Sequence, residues 1–155
     1  MSRRTAAQQI SSATGYMLLR LGDLARDRIE RELRHWEITG KELRILGYAH
    51  GRELSQRDLC ELSGMDRTTM VAVIDKLERL DYARRARSDV DRRKHLVVLT
   101  DRGRQAVEEA LAHMATVEAG FLAPLEPAER QRLNDMIARL YAAHAPTRDP
   151  AQLTP

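Results

Sequence analysis

With one cysteine in 155 residues, Cys60, the chain has no partner for an intrachain disulfide and no thiolate cluster for a metal. A reducing compartment is therefore expected. Long apolar runs are also missing: Tyr16 to Leu19 and Leu96 to Leu99 fall far short of the roughly 18 residues that a membrane span needs. The opening Met1-Ser2-Arg3-Arg4-Thr5 does not lead into a secretory apolar segment. A soluble, cytoplasmic protein with no membrane partner is expected. Catalytic signatures are absent too: there is no Gly-rich phosphate loop, no His-Glu-x-x-His and no nucleophile elbow, and the carboxylates scatter over helix surfaces. An enzyme is not expected. The histidines His35, His50, His95, His113 and His144 lack tight ligand spacing, so no metal or other cofactor is read from the chain.

What is present suffices for one compact unit, since 43% of the residues are apolar and the length suits a single core. A net charge of +3, with 32% charged residues, mostly reflects solvated helix faces. The distribution says more. Between Arg84 and His95, six basic residues (Arg84, Arg85, Arg87, Arg92, Arg93 and Lys94) face only Asp89 and Asp91, a local excess of four positive charges where phosphate would be met.

Apolar residues at helical spacing, Ile10, Met17, Leu21, Leu24, Ile29 and Leu33, predict a helix from about Ala7 to Leu33. Thr39-Gly40-Lys41-Glu42 fits a capping box opening a second helix to about His50. After Gly51, Ser55-Gln56-Arg57-Asp58 opens a short third helix carrying Leu59, Cys60 and Leu62 inward, a setting in which the thiol is buried and inert. Ser63-Gly64-Met65 makes a turn. Asp66 then caps a fourth helix with the stripe Met70, Val73, Ile74, Leu77 and Leu80; Thr68, Ala72, Asp75 and Arg79 lie opposite, small and polar enough to rest on base edges. Ala83 to Arg87 and His95 to Leu99 are predicted strands of a hairpin. Thr100-Asp101 starts a fifth helix to about Leu122, whose stripe Val107, Ala110, Leu111, Met114, Val117 and Phe121 is expected largely to meet another subunit. Beyond Pro124 and Pro127 a last helix carries Leu133, Met136, Ile137, Leu140 and Tyr141.

The order of these elements, with Leu77-Glu78-Arg79-Leu80, Asp91-Arg92-Arg93-Lys94 and Leu99-Thr100-Asp101-Arg102-Gly103, resembles the MarR family of bacterial regulators. The resemblance implies a mainly α fold with a small β-hairpin wing, a winged helix-turn-helix joined to a helical dimerisation domain. Residues 1–36 and 101–145 would form the dimerisation region, 37–100 the DNA-binding region and 146–155 a loose tail. Carried onto this chain, the recognition helix would contact DNA through Asp66, Arg67, Thr68, Thr69, Ala72 and Lys76, with Arg67 the candidate for a bidentate bond to guanine. Of the wing residues Asp91, Arg92, Arg93 and Lys94, the two arginines would reach the minor groove and Asp91 would orient one of them. Arg84, Arg85 and Lys94 read as strand-face or backbone contacts. Asp81 stands where the family commonly has glycine, a position aspartate tolerates better than most residues. The first helix carries no cysteine, unlike a peroxide-sensing branch of the family.

Gly15 and Gly22, seven apart in a helix interior, each cost about 1 kcal/mol relative to alanine. Either another helix packs closely there, or they leave room for a ligand beside His35, Trp36 and His50. Such a pocket would suit a small, weakly acidic aromatic effector. The expected function is a homodimeric regulator of double-stranded DNA, a ligand-responsive repressor of a pseudo-palindromic operator. A helical protein-interaction module on a winged-helix scaffold, without specific DNA binding, is the alternative.

Overall fold

The computed structural model describes residues 5–88 and 95–144. Its elements run α1 (Ala6–Ser11), α2 (Thr14–Glu32), a 3-10 turn (Leu33–Trp36), α3 (Gly40–Ala49), β1 (Leu54–Ser55), α4 (Gln56–Ser63), α5 (Arg67–Arg79), β2 (Ala83–Arg87), β3 (His95–Leu99), α6 (Asp101–Phe121) and α7 (Pro127–His144). The fold is mainly helical with a small antiparallel wing, as expected. The predicted tail 146–155 lies outside the described residues.

Local chemistry sets the helix starts. The Thr39 amide donates to Glu42 Oε2 at 2.6 Å, and the Thr39 hydroxyl donates to the same oxygen. Ser55 and Asp58 form the equivalent box before α4, so two otherwise unpaired backbone donors are satisfied at each start. The single helix expected over Ala7 to Leu33 is interrupted. The hydroxyls of Ser11 and Ser12 donate to the carbonyls of Gln8 and Gln9, Ala13 is extended, and the chain restarts at Thr14. Side-chain bonding to the preceding turn competes with the helical ladder.

A third strand went unpredicted. β1 pairs with β3 through Leu54↔Val97 and Ser55↔Leu96, so β3 is the middle strand, with β2 on its other edge in the register Ala83↔Leu99, Arg85↔Val97 and Arg87↔His95. Val97, Leu99, Ala83 and Leu54 turn one face into the core.

That core is built around Leu33, Ile45, Leu46, Leu59, Met70, Ile74, Leu77, Val97 and Val107, all fully buried. It takes Ala106, Val107 and Ala110 from α6. The first turns of α6 therefore belong to the winged helix of their own chain, and Val107, Ala110 and Val117 are buried without a partner subunit. Only part of the stripe predicted for another subunit is free: Leu111 is exposed, while Met114 and Phe121 are half-buried. By contrast α2 and α7 bury none of their own residues. Leu19 is 62% exposed, Leu24 56%, Met136 53% and Leu140 50%. Among the described residues no helix is long and apolar enough to cross a membrane.

Candidate nucleic-acid interface

Burial of Met70, Val73, Ile74 and Leu77 fixes the rotation of α5 about its axis. The opposite side consequently faces outward, with Arg67, Thr68, Ala72 and Arg79 exposed. Asp66 caps this helix: its Oδ1 accepts the Thr69 amide at 2.9 Å and its Oδ2 the Thr69 hydroxyl at 2.6 Å. These bonds hold the Asp66 carboxyl below the usual carboxylate range. Within the chain Asp66 and Thr69 are thus occupied with each other, and the outward groups of the first turn are Arg67 and Thr68.

Lys76 is also engaged within the fold. Its Nζ donates to Glu42 Oε2 at 3.2 Å. Burial pushes the Glu42 carboxyl up, but the Thr39 hydroxyl and amide together with the Lys76 ammonium outweigh it, so the group stays ionised below its ordinary range. The expected DNA-contact residue Lys76 therefore ties α5 to the start of α3.

The other flank of α5 is held by Arg85, on β2. The Arg85 amide donates to Glu78 Oε1 at 2.8 Å, its Nη1 donates to Glu78 Oε2, and its Nη2 donates to Asp75 Oδ1 at 2.6 Å. With its oxygen turned toward the guanidinium, the Gln56 amide accepts from Nε at 2.9 Å and from Nη2 at 3.0 Å. Arg84 and Arg87, flanking Arg85 on the same strand, are exposed. The sequence placed Asp75 on the outward face and Arg85 on a strand face, but it held no signal that they meet. The wing residues Asp91, Arg92, Arg93 and Lys94 lie outside the described residues.

Beside the start of α5 is a groove of about 420 Å³ lined by Gln56, Arg57, Cys60, Arg67 and Met70. Desolvation raises the Cys60 pKa, the Asp66 carboxylate adds to the rise, and Arg67 opposes it. The thiol is accordingly kept protonated and poorly nucleophilic.

The proposed effector residues are spread out in a single chain. Trp36 stacks edge-on with His35 at 4.9 Å and lies 5.7 Å from the ring of His113, which pairs with Glu32 at 2.9 Å. His50 pairs instead with Glu108 at 3.2 Å. Gly15 and Gly22 are exposed, and a Cβ on either would meet nothing within 4 Å. Among the described residues, neither a packed helix nor a ligand wall lies against them.

Two further contacts fix the wing's base. Asp81 adopts the left-handed conformation, φ 57°, with the Tyr82 amide donating to the Leu77 carbonyl at 2.9 Å and the Asp81 amide to that of Glu78 at 3.0 Å. This is the double bond of a Schellman end, so the turn forms without glycine. Thr100 then caps α6, accepting from the Gly103 amide at 2.9 Å while its hydroxyl donates to the Asp81 carbonyl at 2.6 Å.

Residues 36–94, from Trp36 to the residue before β3, match the model of the MarR family. Over that stretch the chain resembles the MarR family. Among its relatives is the uncharacterised HTH-type transcriptional regulator YdgJ of Bacillus subtilis, 33% identical over 99 residues, which are 64% of this chain and 60% of YdgJ. The aligned part thus spans about 60% of that relative's length. The transcriptional repressor CouR, solved on a 23-mer DNA duplex, superposes with a TM-score of 0.78 at 26% identity, covering 89% of this chain and 99% of CouR. BpsR of Bordetella bronchiseptica, studied for regulation of its DNA binding by 6-hydroxynicotinic acid, shares the fold with a TM-score of 0.73 at 22% identity over 94% of this chain and all of that one. Asp81, Thr100 and Gly103 are the positions whose geometry explains how this wing is attached.

Proposed function

We propose that the chain is a non-enzymatic transcriptional regulator that binds a pseudo-palindromic operator as a homodimer and acts as a ligand-responsive repressor. The observation that carries the reading is the Asp66-capped α5, whose core-facing stripe leaves Arg67, Thr68 and Ala72 outward, beside a strand carrying exposed Arg84 and Arg87. A helix of this kind enters the major groove with its first turn on base edges, while a basic hairpin meets the flanking backbone and minor groove. Arg92 and Arg93 are assigned to the minor groove from their motif. The DNA-bound CouR, which is similar in fold, supports this arrangement.

Dimerisation is assigned to α1, α2 and α7 with the later part of α6, roughly the region 1–36 and 101–145 without the first turns of α6. The support is the row of uncovered apolar side chains on α2 and α7, since contiguous exposed apolar side chains mark interaction surfaces. Gly15 and Gly22, open on α2, are places where a second copy's helix approaches. A weakly acidic aromatic effector would act by preferring one spacing of the two recognition helices, since a ligand binding both states equally shifts nothing.

Selection of preferred duplexes from random DNA, repeated across salt concentrations, tests the reading. Inverted half-sites about one helical turn apart, roughly 34 Å, are expected, with affinity falling steeply as salt rises. Indifferent binding of all polyanions would overturn it.

A further inference from the structure

Arg85 lies in the most basic stretch of the chain, yet its charge is already neutralised. Its guanidinium is shared between Asp75 and Glu78 of α5, and, with the Gln56 amide oxygen turned toward it, its Nε and Nη2 are accepted by Gln56 of α4. Its backbone amide is given to Glu78 as well, at 2.8 Å. Its side chain is 29% exposed, so it lies against the protein while Arg84 and Arg87 on the same strand are open. An arginine with two carboxylate partners offers little net positive charge to a phosphate, and its rigid planar fork suits it to joining fixed elements.

The three elements it joins are the two helices of the helix-turn-helix and the first wing strand. β2 is an edge strand, paired among the described strands with β3 alone, so the sheet by itself leaves its outer side free to twist relative to α5. We infer that Arg85 is a positioning residue that sets the angle between recognition helix and wing, so that both meet adjacent grooves of one duplex at once. This rests on the DNA-binding reading above. It distinguishes Arg85 from its neighbours, for the strand's other two arginines are free to meet the backbone directly.

The test compares Arg85→Met, Arg85→Lys, Asp75→Asn and the double variant Arg85→Met/Asp75→Asn with the parent, in the full chain. Fluorescence anisotropy on the selected operator, across a salt series, is the first measurement. Arg85→Met is expected to bind about tenfold more weakly, as for loss of a charge-assisted bond, with the slope of log affinity against log salt unchanged. Arg85→Lys should recover part of the loss, and the double variant should lose no more than the worse single one, because the two residues act through one bond. Arg84→Gln is the contrast: loss of a phosphate contact reduces the slope by about one.

Amide hydrogen exchange without DNA is the second measurement. Arg85→Met should speed exchange in β2 and leave the amides of α3 and α6 as slow as in the parent. A salt slope reduced by about one in Arg85→Met would make the residue a phosphate contact and overturn the inference, as would parental affinity or unaltered exchange in β2. If the parent binds no duplex, the DNA-binding reading falls, and exchange in β2 alone decides whether Arg85 holds the wing.

Discussion

Gly103 lies so close to the carbonyl of Tyr82 that a Cβ on it would stand 1.8 Å from that oxygen. The first turn of α6 is thereby pressed onto the residue that leads from the recognition helix into the wing. The same Tyr82 holds other elements: its hydroxyl donates to the Trp36 carbonyl at 3.2 Å, its carbonyl accepts from the Thr100 amide at 3.2 Å, and Arg102 lies 5.4 Å over its ring. The obstacle at Gly103 is backbone, which cannot rotate away as a side chain can. Gly103→Ala is expected to lower stability by about 3 kcal/mol, at the upper end for overpacking. Thermal unfolding checks this, and a melting temperature within a degree of the parent would refute it.

Asp81 gives the opposite sign. A residue other than glycine pays about 1 kcal/mol or more to remain left-handed, and the Schellman bonds on either side are backbone bonds that glycine would keep. Asp81→Gly should therefore stabilise the fold by roughly 1 kcal/mol, and Asp81→Val should destabilise it by more than that. Chemical denaturation of both variants provides the comparison; equal midpoints would show that the turn carries no strain.

Glu42 makes stability depend on pH. Its folded pKa lies below its ordinary value, so the bonded carboxylate contributes fully above the unfolded pKa and its contribution is lost as pH falls through the folded one. Glu42→Gln should cost about 2 kcal/mol near neutral pH, as for loss of hydrogen bonds to a charged group. The gap to the parent should close progressively below about pH 4.3. A gap that stays constant down to pH 3 would exclude ionisation of Glu42 as the cause.

Arg67 and Thr68 carry the prediction about base reading. Arg67→Ala should relax preference at one position of each half-site, a loss of about 1 to 3 kcal/mol in discrimination. Lys76→Met, which breaks the tie to Glu42, should act on stability more than on sequence choice. Competition binding with single-base operator variants separates the two. Loss of discrimination with Lys76→Met and none with Arg67→Ala would reverse these roles.

Pairing of two chains is tested by Leu140→Asp in α7. A charge placed in the proposed apolar contact should convert the dimer to a monomer in sedimentation and lower operator affinity together with it. If the parent itself sediments as a monomer at micromolar concentration, the dimer proposal fails.

Much of this architecture was legible because local chemistry decides it. Asp66, Thr39, Ser55 and Thr100 mark helix starts with their own side chains, and the polar loop between the two short strand candidates sets them apart as Ala83–Arg87 and His95–Leu99. What escaped depends on distance in the chain. β1 is two residues long and exists only through its pairing with β3, so it leaves no periodicity to find. Glu42 and Lys76 are 34 positions apart; nothing near either one shows that a recognition-helix lysine turns inward. For Arg85, a run of arginines reads as uniform positive charge, and the acidic residues that single it out sit on another element. The break after Ser12 was legible in principle, since consecutive serines compete for helical carbonyls, but the apolar stripe running through it masked the signal.

The uncovered side chains of α2 and α7 have a consequence for the life of the protein in a cell. Under the proposed dimerisation, a newly made copy whose greasiest helices are wet until it finds a mate would be a substrate for holdase chaperones and proteases in the interval. Survival then rises with abundance. A strain making few copies would keep fewer than synthesis alone dictates, so small changes in expression would be magnified into larger changes in operator occupancy.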